Sequence, residues 1–193
     1  SLLPPSMFRY DGSAYAPTIV NVTIAINTLI KVDDVSTQVT LDLWFRQYWR
    51  DDRWYFPDEM WQSMNPAVHR EGMEIAPYIR NSNQLNIWLP DTYIIEAVEA
   101  DFVSELIHLF PNRTIFWSRH FLVTLTEPQM DLHDYPDDTQ DFTITLQSFA
   151  YSTDYVLLSF INHHGIVFVP DSSGQPYASL NQLCKSHILM LLF

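Results

Sequence analysis

The clearest pattern along the chain is the alternation of hydrophobic and polar residues, which is typical of β-strands with one buried face. Four stretches show it best: Thr18–Thr28, Val39–Trp49, Thr114–Thr126 and Phe142–Phe149. Turn signals rich in Pro, Gly and Asp separate the strands, as in Asp11-Gly12 and Leu89-Pro90-Asp91. The pattern predicts one all-β domain, an immunoglobulin-like β-sandwich of about ten strands. A short helix is predicted near Pro57–Met64.

The alternation also predicts which face of each strand is buried. The predicted core residues are Val20, Val22, Ile24 and Ile26; Val39, Leu41, Leu43 and Phe45; Ile115, Trp117, Phe121, Val123 and Leu125; and Phe142, Ile144 and Leu146. Asn21, Thr23 and Asn27 are predicted to lie outside. Trp44, Phe116 and Phe149 fall among polar neighbours on outward faces. They can form the wall of a binding site or subunit interface, where aromatic residues are enriched, or be ordinary exposed aromatics.

Composition and charge exclude several functions. With 10 Lys and Arg against 23 Asp and Glu, the net charge of −13 argues against nucleic-acid binding. Only 4 glycines are present, and the chain contains no GxGxxG, Walker, nucleophile-elbow or HExxH motif. We therefore expect no enzymatic activity and no cofactor. The acidic segment around His133, Asp134, Asp137, Asp138 and Asp141 could bind a hard cation, but it lacks EF-hand spacing, so no metal site is predicted.

The signals for cellular location conflict. Cys184 is the single cysteine, so no intrachain disulfide can form, which suits a reducing compartment. Two Asn-x-Thr sequons, at Asn21 and Asn112, indicate instead a glycoprotein outside the cell. No run approaches the roughly 20 apolar residues of a membrane-spanning helix, and no signal peptide is visible, so we expect a mature or trimmed soluble piece.

Several longer motifs resemble one family in a consistent order. They are Tyr10-Asp11-Gly12 with Pro17–Ile26, then Trp44–Asp51, Ile87–Tyr93, Met130–Gln140 and Ser148–Asp154. They resemble the first strand, the second strand, the Trp-x-Pro-Asp-Thr loop, the Cys-loop interior and the following strand of pentameric ligand-gated ion channels. The branch they resemble most is that of the GABA, glycine and glutamate receptors. The resemblance covers most of Phe8–Asp154 and implies an extracellular ligand-binding domain, which settles the conflict in favour of the cell exterior.

The chain departs from the family pattern in two places. The positions of the family's paired cysteines fall at Pro128 and Phe142, so packing must hold this loop. Past Asp154 the resemblance fades, and two interpretations of the end stay open. In the first, which we favour, Ala178–Phe193 is the ninth strand, so that the single domain of residues 1–193 lacks its last strand and the membrane domain. In the second, Pro170–Tyr177 is a shortened ligand-capping loop and Leu180–Phe193 the tenth strand.

The resemblance implies a ligand site between adjacent subunits. Its principal face would contain Tyr93, Gln147, Ser148, Phe149 and Tyr151, and its complementary face Trp44, Arg46, Phe116, Ser118 and His120. Aromatic rings attract an ammonium group and an arginine can hold a carboxylate, so this set suits a zwitterionic amino acid. Alternatively, Arg46 is a solvated charge on the strand face, paired with Asp42 or another acidic residue. Trp49 and Trp88 are assigned to packing, and Asp91 and Asp138 to turns.

Three functions stay open at this point. The favoured one is the ligand-recognition domain of a homopentameric channel, which binds a small amine, amino acid or amphiphile between subunits. Its parent protein would be embedded in the plasma membrane at the cell surface. The alternatives are a free-standing secreted binding protein of the same fold and an assembly module that binds no ligand.

Overall fold

The computed structural model describes residues 3–8, 16–54, 56–75, 87–126, 141–161, 166–168 and 187–192. A short 3₁₀ helix covers Pro5–Phe8. The strands are β1 (Thr18–Asp33), β2 (Gln38–Arg50), β3 (Met73–Glu74), β4 (Thr92–Ile94), β5 (Ala97–Leu109), β6 (Thr114–Thr126), β7 (Asp141–Ser148), β8 (Val156–Phe160), β9 (Ile166–Phe168) and β10 (His187–Leu192). Two short helices, α1 (Asp58–Gln62) and α2 (Pro66–Glu71), lie between β2 and β3.

The strands form two sheets. The larger has the order β3-β5-β6-β2-β1-β8, with β9 also paired to β1, and the smaller has the order β10-β7-β4. Four long strands, β1, β2, β5 and β6, pair antiparallel and make the body of the larger sheet. The predicted all-β sandwich is confirmed. β10 lies within both segments proposed for the last strand and pairs with β7. The proposed capping loop, Pro170–Tyr177, lies outside the described residues.

The core lies on the faces that the alternation predicts. In β2, Val39, Leu41, Leu43 and Phe45 are almost fully buried, and the alternation continues through Gln47 and Trp49. The predicted core residues of β1 and β7 are also buried, whereas Phe121 in β6 is only half-buried. The prediction that the other face of β1 lies outside is wrong for Thr23, which is buried, while Asn21 is half-buried. β1 is an inner strand, so neighbouring strands on both sides shield these shorter side chains.

The helical segment is longer than predicted. The helix expected near Pro57–Met64 is confirmed as α1, and its Trp61 is buried in the core. The second helix, α2, was missed because Asn65-Pro66 is also a turn signal. Here the Asn65 side chain accepts a hydrogen bond from Ala67 N, and Pro66 occupies the first helical turn. In the part of the chain that is described, no helix has the length and apolar character needed to cross a membrane.

A tight turn joins β1 to β2. The Asp33 carboxylate accepts hydrogen bonds from Lys31 Nζ at 2.7 Å and from the amides of Val35 and Ser36 at 3.2 and 3.1 Å. These hydrogen bonds lower the pKa of Asp33 to about 2, and the bond from Lys31 has the largest effect. The turn aligns Asp33 with Gln38. Two irregularities farther along the strand pair, between Leu29 and Lys31 and between Ile26 and Thr28, then shift the register so that Ala25 aligns with Trp44 and Thr23 with Arg46.

Candidate ligand-binding site

The first part of the candidate site is an exposed aromatic pair at one end of the smaller sheet, which we call the principal wall (Tyr93, Gln147 and Phe149). Tyr93 lies in β4 and is 42% exposed, and Phe149 directly follows β7 and is 83% exposed. Their rings are 6.3 Å apart and inclined by 71°. The Tyr93 hydroxyl donates to Gln147 Oε1 at 3.2 Å. The structure thus brings three predicted site residues together on an accessible surface.

The carboxylate of Asp91 fixes the backbone that presents Phe149. Asp91 accepts hydrogen bonds from Ser148 Oγ at 2.5 Å and from the Ala150 amide at 2.6 Å. Ser148 Oγ in turn accepts from the Tyr151 amide at 3.2 Å. The interpretation of Asp91 as a turn-fixing residue is confirmed. Ser148, predicted to contact ligand, is buried and supports the wall from behind.

Tyr151 also lies behind the principal wall. Its half-buried ring packs edge-on against Trp88 at 6.1 Å, and Trp88 packs edge-on against Trp49 at 5.9 Å. Trp88 and Trp49 are 2% and 1% exposed, which confirms their assignment to packing. The loop after β7 is therefore attached to the core on one side and displays Phe149 on the other.

The second part of the site is the outward face of β2 and β6, which we call the complementary wall. In the antiparallel register Trp44 lies opposite His120, Arg46 opposite Ser118 and Tyr48 opposite Phe116. The rings of Trp44 and His120 stack at 4.4 Å, and those of Tyr48 and Phe116 stack at 4.6 Å. Arg46 and the buried Ser118 lie between these two stacked pairs. All five predicted residues of this face are brought together, and Tyr48 belongs with them.

The alternative partner of Arg46 is occupied elsewhere. Asp42 Oδ1 is 2.6 Å from His120 Nε2 and accepts from Asn27 Nδ2 at 3.3 Å. The backbone of Arg46 pairs with Thr23 and Ser118 in the sheet, but its side chain makes no hydrogen bond or ion pair with any other residue that the structure describes. Burial raises the pKa of the neighbouring Tyr48 phenol, and the positive charge of Arg46 acts against that shift. Arg46 is half-buried, and the planar guanidinium of an arginine is well suited to pair with a carboxylate.

A buried polar cluster beneath both walls was missed from the sequence. Arg119 points into the sandwich, and its Nη2 donates to Gln47 Oε1 at 3.0 Å and to the Thr92 carbonyl at 3.5 Å. Gln47 is fully buried and donates from Nε2 to Thr92 Oγ1 at 3.0 Å. Burial lowers the pKa of Arg119 to about 10, against the opposing effect of Glu105. The sequence did offer one signal: Arg119 lies two residues from each of the predicted core residues Trp117 and Phe121, so its side chain is expected on the same face of the strand.

The two walls do not meet within one chain. They lie on different sheets, and no ring contact or hydrogen bond among the described residues joins Tyr93 or Phe149 to Trp44 or Arg46. The described residues also contain no group of three His, Cys, Asp or Glu side chains that could hold a metal ion. Pro128, Asp138 and most of the acidic segment that begins at His133 lie outside the described residues.

Comparison with known proteins identifies the family. A profile of the neurotransmitter-gated ion-channel ligand binding domain matches residues 8–186. The chain belongs to this family. A gamma-aminobutyric acid receptor subunit beta of Lymnaea stagnalis is 25% identical over 179 residues, which are 87% of this chain and 35% of that protein. The rho-2 subunit of the mouse gamma-aminobutyric acid receptor is 26% identical over 149 residues, 74% of this chain and 29% of that subunit.

Family membership confirms the resemblance found in the motifs. The family is an extracellular domain of ligand-gated channels rather than an enzyme family, and it implies pentameric assembly and a small-molecule ligand. The chain spans about a third of the length of the curated relatives that it matches. The activity of the whole protein is therefore a matter for proposal.

Proposed function

We propose that the chain is the ligand-recognition domain of a pentameric ligand-gated ion channel and binds a small zwitterionic amino acid between adjacent subunits. One subunit would offer its principal wall and the next its complementary wall. The parent protein would form a homopentamer at the cell surface, with residues 1–193 as a single extracellular domain. Three of its relatives are named as gamma-aminobutyric acid receptor subunits, which makes γ-aminobutyric acid the first ligand to test.

The position of Arg46 supports this proposal most strongly. In the strand register Arg46 lies between two stacked aromatic pairs on an outward face. Asp42, the counter-ion named from the sequence, is bonded to His120 and Asn27 instead. A charge held in this way favours a carboxylate ligand, and the planar fork of arginine can bind both carboxylate oxygens.

The principal wall supports the other half of the ligand. Tyr93 and Phe149 expose ring faces that can attract an ammonium group, at about 0.5–2 kcal/mol for each good contact. The hydroxyl of Tyr93 and the amide of Gln147 add polar groups at the same surface. An amino acid with an ammonium and a carboxylate would then span the two walls.

The test is calorimetric titration of the assembled protein with γ-aminobutyric acid, n-butylamine and butyrate. Arg46→Ala should weaken binding of γ-aminobutyric acid and butyrate by roughly 2–5 kcal/mol, because it removes the charge paired with the carboxylate, and should barely affect n-butylamine. Phe149→Ala should weaken n-butylamine and γ-aminobutyric acid but not butyrate. Arg46→Lys keeps the charge and loses the planar fork, so its affinity should fall between those of the wild type and Arg46→Ala.

Arg50→Ala is the matched control. Arg50 is an exposed arginine at the end of the same strand, and it pairs with Asp52 at 2.8 Å. Its replacement should leave all three affinities unchanged. Equal affinities for wild type and Arg46→Ala would remove Arg46 from the site. A protein that assembles but binds none of the three compounds would contradict the proposed ligand and favour an assembly module.

A further inference from the structure

A partly buried arginine of β6, Arg119, connects the two sheets close to the strands that carry both walls. Arg119 is flanked in sequence by Ser118 and His120, and its partner Gln47 by Arg46 and Tyr48, all four on the complementary wall. Its other partner, Thr92, lies between Asp91 and Tyr93 at the principal wall. The guanidinium of Arg119 is thus bonded to β2, which carries part of the complementary wall, and to β4, which carries Tyr93 of the principal wall.

Aromatic rings hold this guanidinium in place. Its Cζ is 3.9 Å from the ring centre of Trp117, 4.9 Å from that of Phe45 and 5.3 Å from that of Phe121. Such cation–π contacts are stronger when desolvated than at a surface. Trp117 is itself fixed, because its Nε1 donates to Glu105 Oε2 at 3.0 Å. The rings orient the guanidinium so that Nη2 faces Gln47 and Thr92.

β4 needs such an attachment because it is short. It comprises only Thr92–Ile94 and pairs with β7 in its own sheet. Its hydrogen bonds to the larger sheet come from the cluster: Thr92 Oγ1 accepts from Gln47, and the Thr92 carbonyl accepts from Arg119. Next to Thr92, Asp91 holds the loop of Phe149 and Tyr93 contributes its ring to the wall. The cluster therefore connects β4, which carries Tyr93, to β2 and β6 of the larger sheet.

We propose that Arg119 is a positioning residue that fixes β4 and the principal wall to the strands of the complementary wall in the same subunit. It touches no ligand. The consequence for ligand affinity rests on the proposed function, whereas the attachment of β4 does not. In a ring of subunits, each chain gives one wall to each of its two interfaces, so this attachment links neighbouring ligand sites through one subunit.

The first test needs no ligand and measures amide hydrogen exchange in wild type, Arg119→Met and Arg119→Lys. Methionine fills the space without donating hydrogen bonds, so the amides of Tyr93, Ile94 and Ala150 should exchange about tenfold faster or more. The amides of Leu29 and Leu41, farther along the larger sheet, should keep their protection. Arg119→Lys retains a cation beside the rings but cannot reach both Gln47 and Thr92, so it should show a smaller local acceleration. Arg50→Met, the matched control, should change none of these rates.

The second test measures γ-aminobutyric acid affinity in the same variants. Arg119→Met should raise Kd about tenfold while Arg50→Met leaves it unchanged. If the wild type does not bind this probe, the proposed function fails, and the exchange measurement still decides the role of Arg119. Unchanged exchange in β4, or uniform acceleration that includes Leu29 and Leu41, would overturn the proposal and make Arg119 an ordinary core residue. If Arg119→Met does not fold, the comparison between wild type and Arg119→Lys carries the same test.

Discussion

Two asparagines carry the same acceptor sequence for N-glycosylation but lie in different surroundings. Asn112 is exposed in the turn between β5 and β6, where its Oδ1 accepts a hydrogen bond from the Thr114 amide at 3.1 Å. Asn21 is half-buried in β1, paired with Tyr48 on one side and with Ser159 on the other. A glycan fits easily at the turn, whereas at Asn21 it would crowd the middle of a sheet.

We therefore expect folded protein secreted from eukaryotic cells to carry its glycan at Asn112. Intact mass before and after enzymatic deglycosylation should show one occupied sequon. Asn112→Gln should abolish the mass difference, and Asn21→Gln, the matched control, should preserve it. Peptide mapping that finds a glycan on Asn21 in folded protein would contradict this expectation, because it would show that the sheet leaves room for one there.

Two arginines in adjacent strands show how position alone decides what a charge can do. Arg46 lies on the outward face of β2, where its side chain has no hydrogen-bond or ion-pair partner among the residues that the structure describes. Arg119 lies on the inward face of β6. Its guanidinium contacts three aromatic rings and donates hydrogen bonds to Gln47 Oε1 and to the Thr92 carbonyl. Burial lowers the pKa of Arg119 to about 10, so at neutral pH it stays charged and acts as a fixed attachment.

At the scale of elements, β7 links the core to the principal wall, and two phenylalanines mark its ends. Phe142 is 3% exposed near its start, at the position where the family resemblance places a cysteine, and Phe149 is 83% exposed just after its end. Phe142→Ala should lower the free energy of unfolding by roughly 3–5 kcal/mol, since it empties a buried site. Phe149→Ala, the matched control, should change it by no more than about 0.5 kcal/mol.

Denaturant unfolding of both variants, with and without reducing agent, checks this expectation. Because Cys184 is the only cysteine, reducing agent should leave the unfolding midpoint of each protein unchanged. A loss near zero for Phe142→Ala would mean that packing around this residue does not hold the start of β7.

The strands with one buried face could be predicted from the sequence, and the elements without that pattern could not. β2 alternates without interruption from Val39 to Trp49, so its two faces were assigned correctly. β5 was not predicted, because Val98–Ser104 is exposed on both faces and shows no alternation in burial. α2 was missed because Asn65 and Pro66 favour a turn and a helix start equally.

The candidate site shows the same limit. The outward aromatic residues Trp44, Phe116 and Phe149 could be named because they interrupt a polar face, and the family resemblance supplied the site roles of Tyr93 and Arg46. The support beneath them could not be found in this way. Arg119 and Gln47 are polar residues at core positions, and only the packing of the two sheets shows that they meet at Thr92. Likewise, Ser148 and Tyr151 share motifs with the site, but they support the wall from the buried side.

At the scale of the whole molecule, the proposed ligand site depends on assembly. One chain carries the two walls on separate sheets, and the proposed site would combine the principal wall of one subunit with the complementary wall of the next. The family implies pentameric assembly, and we propose a homopentamer. Sedimentation velocity and light scattering at increasing protein concentration should therefore show particles of about five chains.

The net charge of the chain allows pentamer assembly to be tested in a second way, through its dependence on salt. Each copy carries a net charge of −13, so bringing five copies together is opposed by electrostatic repulsion. Salt shortens the screening length from about 30 Å at 0.01 M to about 8 Å at 0.15 M. The fraction of assembled protein should therefore rise between these two salt concentrations at constant protein concentration. A protein that remains monomeric at high concentration and at both salt concentrations would contradict the proposed site between subunits. The principal wall of one chain would then never contact the complementary wall of another.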